Sequence, residues 1–153
     1  MLMQSFKSAV ELNIPDEHYE ALKKTLVLFE TGKVKYQSLD DLSKWGPDGD
    51  LVRGEVKFDG LFNMDEWRAS YHGCGTVACI GGTAELVGNV KFSKIIDSGN
   101  MSLYYLFYPN GLIDKWENIT VEKAARALRN YLTHGEPRWK EVMGLRKREE
   151  NAI

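Results

Sequence analysis

Both cysteines of the chain, Cys74 and Cys79, lie within one short stretch, near the predicted start of a helix. A cysteine at a helix N-terminus lies close to the positive end of the helix dipole, which lowers the thiol pKa and favours the thiolate. Such a thiolate acts as a nucleophile when a histidine base is within reach. His72 is two residues from Cys74, and His134 could approach it through tertiary packing. One hypothesis is therefore a cysteine-dependent enzyme, a thiol hydrolase or a redox protein, that uses Cys74.

The same stretch offers a second chemistry, because His72, Cys74 and Cys79 could serve as metal ligands. A strong zinc signature contains two closely spaced cysteine pairs, whereas this chain has one CxxxxC spacing and no fourth ligand. The third interpretation is structural: both cysteines behave as small buried hydrophobes that hold a turn against a helix. We favour the structural interpretation, and we expect no cofactor.

The residues after Cys74 predict the element that positions them. Thr76 is a plausible N-cap for an almost wholly apolar helix over residues 77–88. Gly81 and Gly82 lie inside that helix, where each glycine costs about 1 kcal/mol relative to alanine. We therefore expect the glycines to let another backbone or an aromatic ring approach closely. The predicted structural motif comprises Cys74, Gly75, Thr76, Cys79, Gly81 and Gly82.

Glu85 is the single charge of this predicted helix. Burying it without a partner would cost several kcal/mol. We expect Glu85 to be partly exposed, with Arg126 or Arg129 as its candidate partner.

Other apolar periodicities predict the surrounding elements: a helix over 14–31 that Asn13 caps, a short helix that Asn63 begins and that carries Trp67, a short helix over 101–108 that Asn100 caps, and a helix over 121–134 that Thr120 caps. The predicted fold is mainly α, a compact helical domain around a buried glycine-containing helix, with room for a minor β-hairpin. The whole chain, residues 1–153, is expected to form one domain, with residues 1–10 and 145–153 as flexible ends.

The composition limits the function classes. The 153 residues are 43% hydrophobic and 27% charged, with a formal net charge of −2, which gives no electrostatic case for a nucleic-acid partner. No apolar run approaches the roughly 20 residues of a membrane span, and the first residues do not form a signal peptide. Two cysteines do not make a secreted disulfide framework, so the expected compartment is the cytoplasm.

Several short motifs together resemble a known group of proteins. They are the pattern FNMxxW at residues 62–67, CGTxACIxG at 74–82, LFYP at 106–109, and the run from Ile119 to Leu128. The chain resembles an uncharacterised family of small proteins from bacteria and their phages over residues 62–139. The resemblance implies a bacterial or phage setting and a helical domain built around the 74–82 segment. It implies no catalytic residue, because no activity is assigned to that family.

The aromatic content points to recognition. Trp45, Trp116 and Trp139 fall in or near predicted loops, where they could form an exposed aromatic patch. We therefore predict a non-catalytic binding protein whose partner is another protein, with a second copy of the chain as an alternative partner. In a phage setting, such a protein would bind and block a host component.

Overall fold

The computed structural model describes residues 5–40, 42, 45, 49, 56–71, 75–110 and 115–144. The helices in these ranges are α1 (Ala9–Leu12), α2 (Asp16–Glu30), α3 (Ile80–Gly88), α4 (Ser93–Asp97), α5 (Met101–Phe107), α6 (Val121–His134) and α7 (Trp139–Val142). The strands are β1 (Lys35–Tyr36), β2 (Leu61–Phe62), β3 (Arg68–Tyr71) and β4 (Gly75–Ala78). The fold is therefore of the α-plus-β type, and the prediction of a mainly helical fold is confirmed only in part.

The four strands form one mixed sheet in the order β1-β2-β4-β3. Strand β2 lies parallel to both β1 and β4, whereas β3 and β4 pair antiparallel, with Arg68 opposite Ala78 and Tyr71 opposite Gly75. The antiparallel pair agrees with the minor hairpin that the sequence allowed. The sheet has more strands than the sequence predicted. Each strand is two to four residues long, which is too short to show a clear alternation of apolar and polar residues in the sequence.

Strand β4 occupies the place where the sequence predicted the first turn of a helix. Thr76, Val77 and Ala78 are buried in the sheet, and helix α3 begins only at Ile80, with Cys79 as its N-cap. The prediction that Thr76 caps a helix over 77–88 was therefore wrong about the cap and the first three residues. The apolar run itself could not distinguish a buried strand from a buried helix.

The predicted helix at Asn63 is also replaced by another structure. The side-chain oxygen of Asn63 accepts a hydrogen bond from the backbone N–H of Asp65 at 2.9 Å, which closes a turn that leads into strand β3. The amide of Asn63 donates to the carbonyl oxygen of Gln37 at 2.9 Å and thereby ties this turn to the segment after β1. The same residue type caps helices and closes turns, so its local sequence did not decide between them.

The other three helical predictions, over 14–31, 101–108 and 121–134, are close to the observed elements. Helix α2 covers most of the predicted 14–31, and α5 ends one residue before the predicted limit. Helix α6 has the predicted bounds: the Thr120 hydroxyl accepts from the N–H of Lys123, and Gly135 takes the left-handed conformation at the C-terminal end. The helix caps chosen from the sequence, Asn100 and Thr120, both make their hydrogen bonds.

The N-terminal part of the chain differs from the expected loose end. Ser8 and Glu11 form a capping box around α1, and the backbone N–H of Lys7 donates to the carbonyl of Leu132 at 2.7 Å. Asn13 is the left-handed C-cap of α1 and not, as its position suggested, the start of the following helix. Within residues 5–12, the chain is therefore attached to α6.

The helix contacts place α3 within the core. Helix α2 packs against α3 and α6, and α6 also contacts α5 and α7. Helix α3 contacts α5 and strand β4, and its first six residues, Ile80 to Glu85, are all buried. The side chain that lies against α3 from the sheet side is Trp67, immediately before β3.

Candidate functional site

The predicted nucleophile and its nearest base lie outside the described residues. His72 and Cys74 both fall between β3 and β4, in residues 72–74, so the hypotheses built on them remain predictions. His134 is an exposed residue at the C-terminal end of α6. Gly75 and Thr76 lie beside Asp59: the Thr76 N–H donates to Oδ2 of Asp59 at 2.7 Å, and Gly75 has a φ of +98°. These two residues of the motif therefore hold the start of β4 against Asp59, in the segment before β2.

Cys79 has a structural environment. Its side chain is 2% exposed, its Sγ accepts from the N–H of Gly82 at 3.5 Å, and its thiol donates to the carbonyl oxygen of Trp67 at 3.7 Å. Burial raises the pKa of the Cys79 thiol to about 12, although the hydrogen bond from Gly82 acts in the opposite direction. A thiol with this pKa is protonated at neutral pH. Cys79 is the N-cap of α3, and because its side chain is buried, a substrate cannot reach the sulfur.

The two glycines inside α3 leave space for Trp67, as the sequence analysis expected of an aromatic ring or a backbone. A Cβ on Gly81 would lie 2.1 Å from Cη2 of the Trp67 ring, and a Cβ on Gly82 would lie 1.6 Å from the Trp67 carbonyl oxygen. Both distances are far below a van der Waals contact. Glycine is therefore required at both positions, because the ring of Trp67 packs against Gly81 and the backbone carbonyl of Trp67 packs against Gly82.

Glu85 is buried beside Trp67, contrary to the expectation of partial exposure. Its side chain is 7% exposed, and its two oxygens accept from the indole Nε1–H of Trp67 and the backbone N–H of Phe92, each at 2.8 Å. The guanidinium Nε of Arg68 lies 3.5 Å from Oε1 of Glu85. Arg68, adjacent to Trp67 in the chain, is thus the ionic partner that the sequence analysis missed.

The two arginines that were predicted as partners of Glu85 serve elsewhere. Arg129 pairs with Glu30 at 2.6 Å, and that carboxylate raises the pKa of the guanidinium. Arg126 donates through Nη1 to the carbonyl oxygen of Val142 at 3.3 Å. The helix periodicity places both residues correctly on α6, but it does not reveal that α6 packs against α2, α5 and α7.

Aromatic rings extend from Trp67 toward the surface. Trp67 and Tyr108 are stacked, with centroids 5.6 Å apart and an interplanar angle of 13°. The ring centroid of Tyr108 also lies 5.2 Å from that of Tyr104 and 6.4 Å from that of Trp116. The ring centroids of Tyr104 and Tyr105 are 5.5 Å apart. We call the outer four residues, Tyr104, Tyr105, Tyr108 and Trp116, the aromatic face.

The three tryptophans named as binding candidates have different fates. Trp45 is 54% exposed, and Trp116 is partly buried at the end of the aromatic face. Trp139 is 1% exposed, and its indole N–H donates to the carbonyl oxygen of Tyr105 at 2.7 Å. Trp139 therefore belongs to the core and cannot contribute to an exposed patch, because α7, which begins at Trp139, packs against α6.

Two carboxyl groups lie next to the aromatic face. The pKa of Asp65 is raised, first by partial burial and then by the negative charge of Glu117 and a hydrogen bond between the two side chains. Glu117 follows Trp116 in a short 3-10 turn, Trp116–Asn118. Asp65 and Glu117 are both on the exposed side of the molecule. We call them the carboxyl pair.

Within the described part of the chain, no three His, Cys, Asp or Glu side chains are grouped so that they could hold a metal ion. No helix there combines the length and the apolar character that crossing a membrane requires. The proposed metal set of His72, Cys74 and Cys79 includes two residues outside the described ranges, so it stays a prediction.

Comparison with known proteins adds no relative: no protein-family model, no curated protein and no solved structure matches this chain. The resemblance to small bacterial and phage proteins therefore also stays a prediction.

Proposed function

We propose that the protein is a non-catalytic binding protein that recognises another protein through its aromatic face. The observation that carries this proposal is the continuous ring series that begins at Trp67, which packs against the core, and ends at the partly exposed Tyr104 and Trp116. The inner ring is fixed by Gly81 and by its hydrogen bond to Glu85. Rings that are already ordered lose little conformational entropy on binding, which is why such residues dominate binding energy at interfaces.

The carboxyl pair defines the chemistry of the partner. The pKa of Asp65 is raised first by partial burial and then by the negative charge of Glu117. The two carboxylates therefore repel each other when both are ionised. A cation placed between them would remove the repulsion. An arginine side chain can also stack on Trp116, because its planar guanidinium interacts with both carboxylates and aromatic rings. We therefore expect the partner to present arginine or lysine.

The catalytic alternative uses Cys74 with His72 or His134 as the base, and Cys74 and His72 lie outside the described residues. The other cysteine, Cys79, is buried and protonated, and its hydrogen bonds involve Trp67 and Gly82. In the bacterial or phage setting that the resemblance implies, a binding protein of this size would act in the cytoplasm by occupying a surface of a host protein.

Binding of a hexa-arginine peptide tests the partner chemistry. Isothermal titration calorimetry would compare the wild type with Trp116→Ala and Glu117→Gln, and with Glu122→Gln as a matched control on exposed α6. We expect each test variant to bind about three- to tenfold more weakly, the effect of losing one cation–π or charge contact, and the control to bind unchanged. Equal binding by all four proteins, or equal binding of hexaglutamate, would contradict the proposal.

Photo-crosslinking identifies the partner. A photoreactive amino acid at position 105 lies on the aromatic face, where Tyr105 is 37% exposed. The same group at position 10 is the control, since Val10 is 87% exposed and belongs to α1. We expect a product from position 105 that is absent from position 10 and is displaced by hexa-arginine. A product whose mass equals twice the chain would make a second copy the partner. No product specific to position 105 would count against the aromatic face.

A further inference from the structure

The guanidinium group of Arg68 is only partly satisfied by the fold. Arg68 is the first residue of β3, its side chain is 25% exposed, and its Nε lies 3.5 Å from Oε1 of Glu85. Within the described ranges this is its one ionic contact, and its terminal nitrogens, Nη1 and Nη2, make no hydrogen bond. Neither nitrogen belongs to the buried polar atoms that lack a partner in those ranges, so both are open to solvent. Arg68 therefore holds donors that a bound molecule can reach.

Both the backbone and the side chain of Arg68 are held in place. The backbone lies in the antiparallel pair of β3 and β4, opposite Ala78. The Nε of the side chain faces Glu85, which is 7% exposed and accepts hydrogen bonds from the Nε1–H of Trp67 and the N–H of Phe92, each at 2.8 Å. An arginine that is already anchored loses less conformational entropy on binding than a free surface arginine does. The fold therefore prepares this group for binding.

The guanidinium group lies beside the inner end of the ring series. The indole Nε1 of Trp67 and the Nε of Arg68 contact the same oxygen of Glu85, at 2.8 and 3.5 Å. The ring of Trp67 stacks on Tyr108, a member of the aromatic face, with centroids 5.6 Å apart. A segment of a partner that covers the aromatic face can therefore extend past Trp67 to Arg68.

The free edge of the guanidinium group defines the chemistry that it would bind. Because Glu85 lies at the Nε side, the Nη1 and Nη2 donors remain, and two such N–H groups match the two oxygens of a carboxylate. The charge of Glu85 offsets that of Arg68 at long range, so selection depends on short hydrogen bonds. Phosphate recognition uses clusters of arginines, whereas the other described arginines, Arg126, Arg129 and Arg138, have their contacts elsewhere. A carboxylate is therefore the better match.

We propose that Arg68 binds an aspartate or glutamate side chain of the partner protein that docks on the aromatic face. The Nη1 and Nη2 groups donate to the two oxygens of that carboxylate, while Nε stays with Glu85. This inference rests on the proposed function and specifies the partner further. The segment that covers the aromatic face carries an acidic residue as well as arginine or lysine.

Two peptides that differ only in their acidic residues test the proposal by calorimetry. Each peptide carries six arginines, four glycines and then either two aspartates or two asparagines. Four glycines span up to about 14 Å, enough to pass from Trp116 across Tyr108 to Trp67, whose successive centroids are 6.4 and 5.6 Å apart. Arg68→Gln removes the guanidinium group, Arg68→Lys keeps the charge but not the fork, and Lys94→Gln, on exposed α4, is the control.

We expect the wild type and Lys94→Gln to bind the aspartate peptide about three- to fivefold more tightly than the asparagine peptide, the effect of one partly exposed ionic contact. The protein has a net charge of −2, so long-range electrostatics would favour the asparagine peptide instead. Arg68→Gln and Arg68→Lys should lose most of the preference and still bind the asparagine peptide. Equal or weaker binding of the aspartate peptide by the wild type, or an unchanged preference in Arg68→Gln, overturns the role of Arg68 and leaves the proposed function standing. If neither peptide binds, the proposed function fails, and this inference fails with it.

The NMR signal of the Arg68 side chain separates a direct contact from an indirect effect. Its Nε–H resonance, assigned by its absence from Arg68→Lys, should shift with the aspartate peptide much more than with the asparagine peptide. Arg68→Gln leaves Glu85 without its ionic partner, so a lower urea midpoint is expected for that variant. If Arg68→Gln does not fold, Arg68→Lys and the resonance decide. An equal response to both peptides would overturn the direct contact.

Discussion

Glu85 and Asp65 lie on either side of Trp67 in the chain, yet their environments are opposite. Glu85 is 7% exposed and receives an indole N–H, a backbone N–H and a guanidinium, all from its own fold. Asp65 is exposed, and its pKa is raised by partial burial, by the negative charge of Glu117 and by a hydrogen bond to that side chain. Donor groups of the fold surround the buried acid, whereas a second carboxyl group lies beside the exposed one. The neighbouring groups, and not burial alone, therefore separate a structural carboxyl group from a candidate recognition site.

The largest effect is expected at Gly82, in the interior region. Gly82→Ala would place Cβ 1.6 Å from the Trp67 carbonyl oxygen, a backbone atom that cannot move without disturbing β3. We expect a loss of about 3 kcal/mol or more in the free energy of unfolding, enough to prevent folding in a marginal domain. Urea denaturation followed by circular dichroism measures it.

Gly81 provides a matched comparison for this prediction. Gly81→Ala meets the ring of Trp67 and not its backbone, so a Trp67→Phe background should reduce the cost of Gly81→Ala but not that of Gly82→Ala. Equal relief of both substitutions would mean that the backbone contact at Gly82 is not what requires a glycine.

The second effect concerns the satisfied carboxylate. Glu85→Ala leaves the indole N–H of Trp67 and the N–H of Phe92 without an acceptor in a buried place. We expect a loss of about 3–5 kcal/mol, as for the removal of one partner from a buried ionic group. Glu85→Gln keeps an acceptor oxygen and should lose less. If Glu85→Ala costs no more than an exposed control such as Glu122→Ala, the interior region is less dependent on this carboxylate than its geometry indicates.

The third effect separates structural from reactive cysteine. In a Cys74→Ser background, Cys79 should react with iodoacetamide at neutral pH only when the protein unfolds. Its pKa of about 12, against an ordinary 9.0, corresponds to a thiolate fraction roughly a thousandfold lower, and burial blocks the reagent as well. Mass spectrometry of quenched samples gives the rate. Rapid alkylation of Cys79 in the folded protein would contradict its structural role.

The smallest effect sharpens the comparison at the exposed acid. A raised carboxyl pKa means that the folded protein holds the proton of Asp65 more tightly than the unfolded chain does. The ionised group therefore lowers the free energy of unfolding at neutral pH, and this cost is removed as the pH falls through the folded pKa. Asp65→Asn should therefore stabilise the protein at pH 7 by a few tenths of a kcal/mol, after allowance for solvent screening. The gain should decrease as the pH falls through the folded pKa and vanish below about pH 3, where the aspartic acid is protonated in both states.

The same substitution should weaken binding of hexa-arginine. A variant that is slightly more stable but a poorer binder would show that the carboxyl pair serves recognition. If Asp65→Asn destabilises the protein at pH 7, the pair is part of the scaffold, and the contrast with Glu85 disappears.

Local sequence signals were sufficient where an element is long and ends in a clear cap. Helix α6 combines an apolar stripe with Thr120 at one end and Gly135 at the other, and each signal reports the same boundary. They were insufficient at β4, where three buried apolar or β-branched residues are compatible with either strand or helix. The need for close approach at Gly81 and Gly82 was also readable, because glycine in a helix is costly without such a reason.

The sequence by itself determined which residues form the longer helices, where those helices end, and that a close neighbour must lie against the two glycines, since these depend on neighbours a few positions apart. Only the tertiary structure decided that the neighbour is Trp67, that Arg68 and not an arginine of α6 faces Glu85, and that Asp65 meets Glu117. Those contacts depend on how the sheet and helices pack in space, and side-chain spacing along the chain does not encode that arrangement directly.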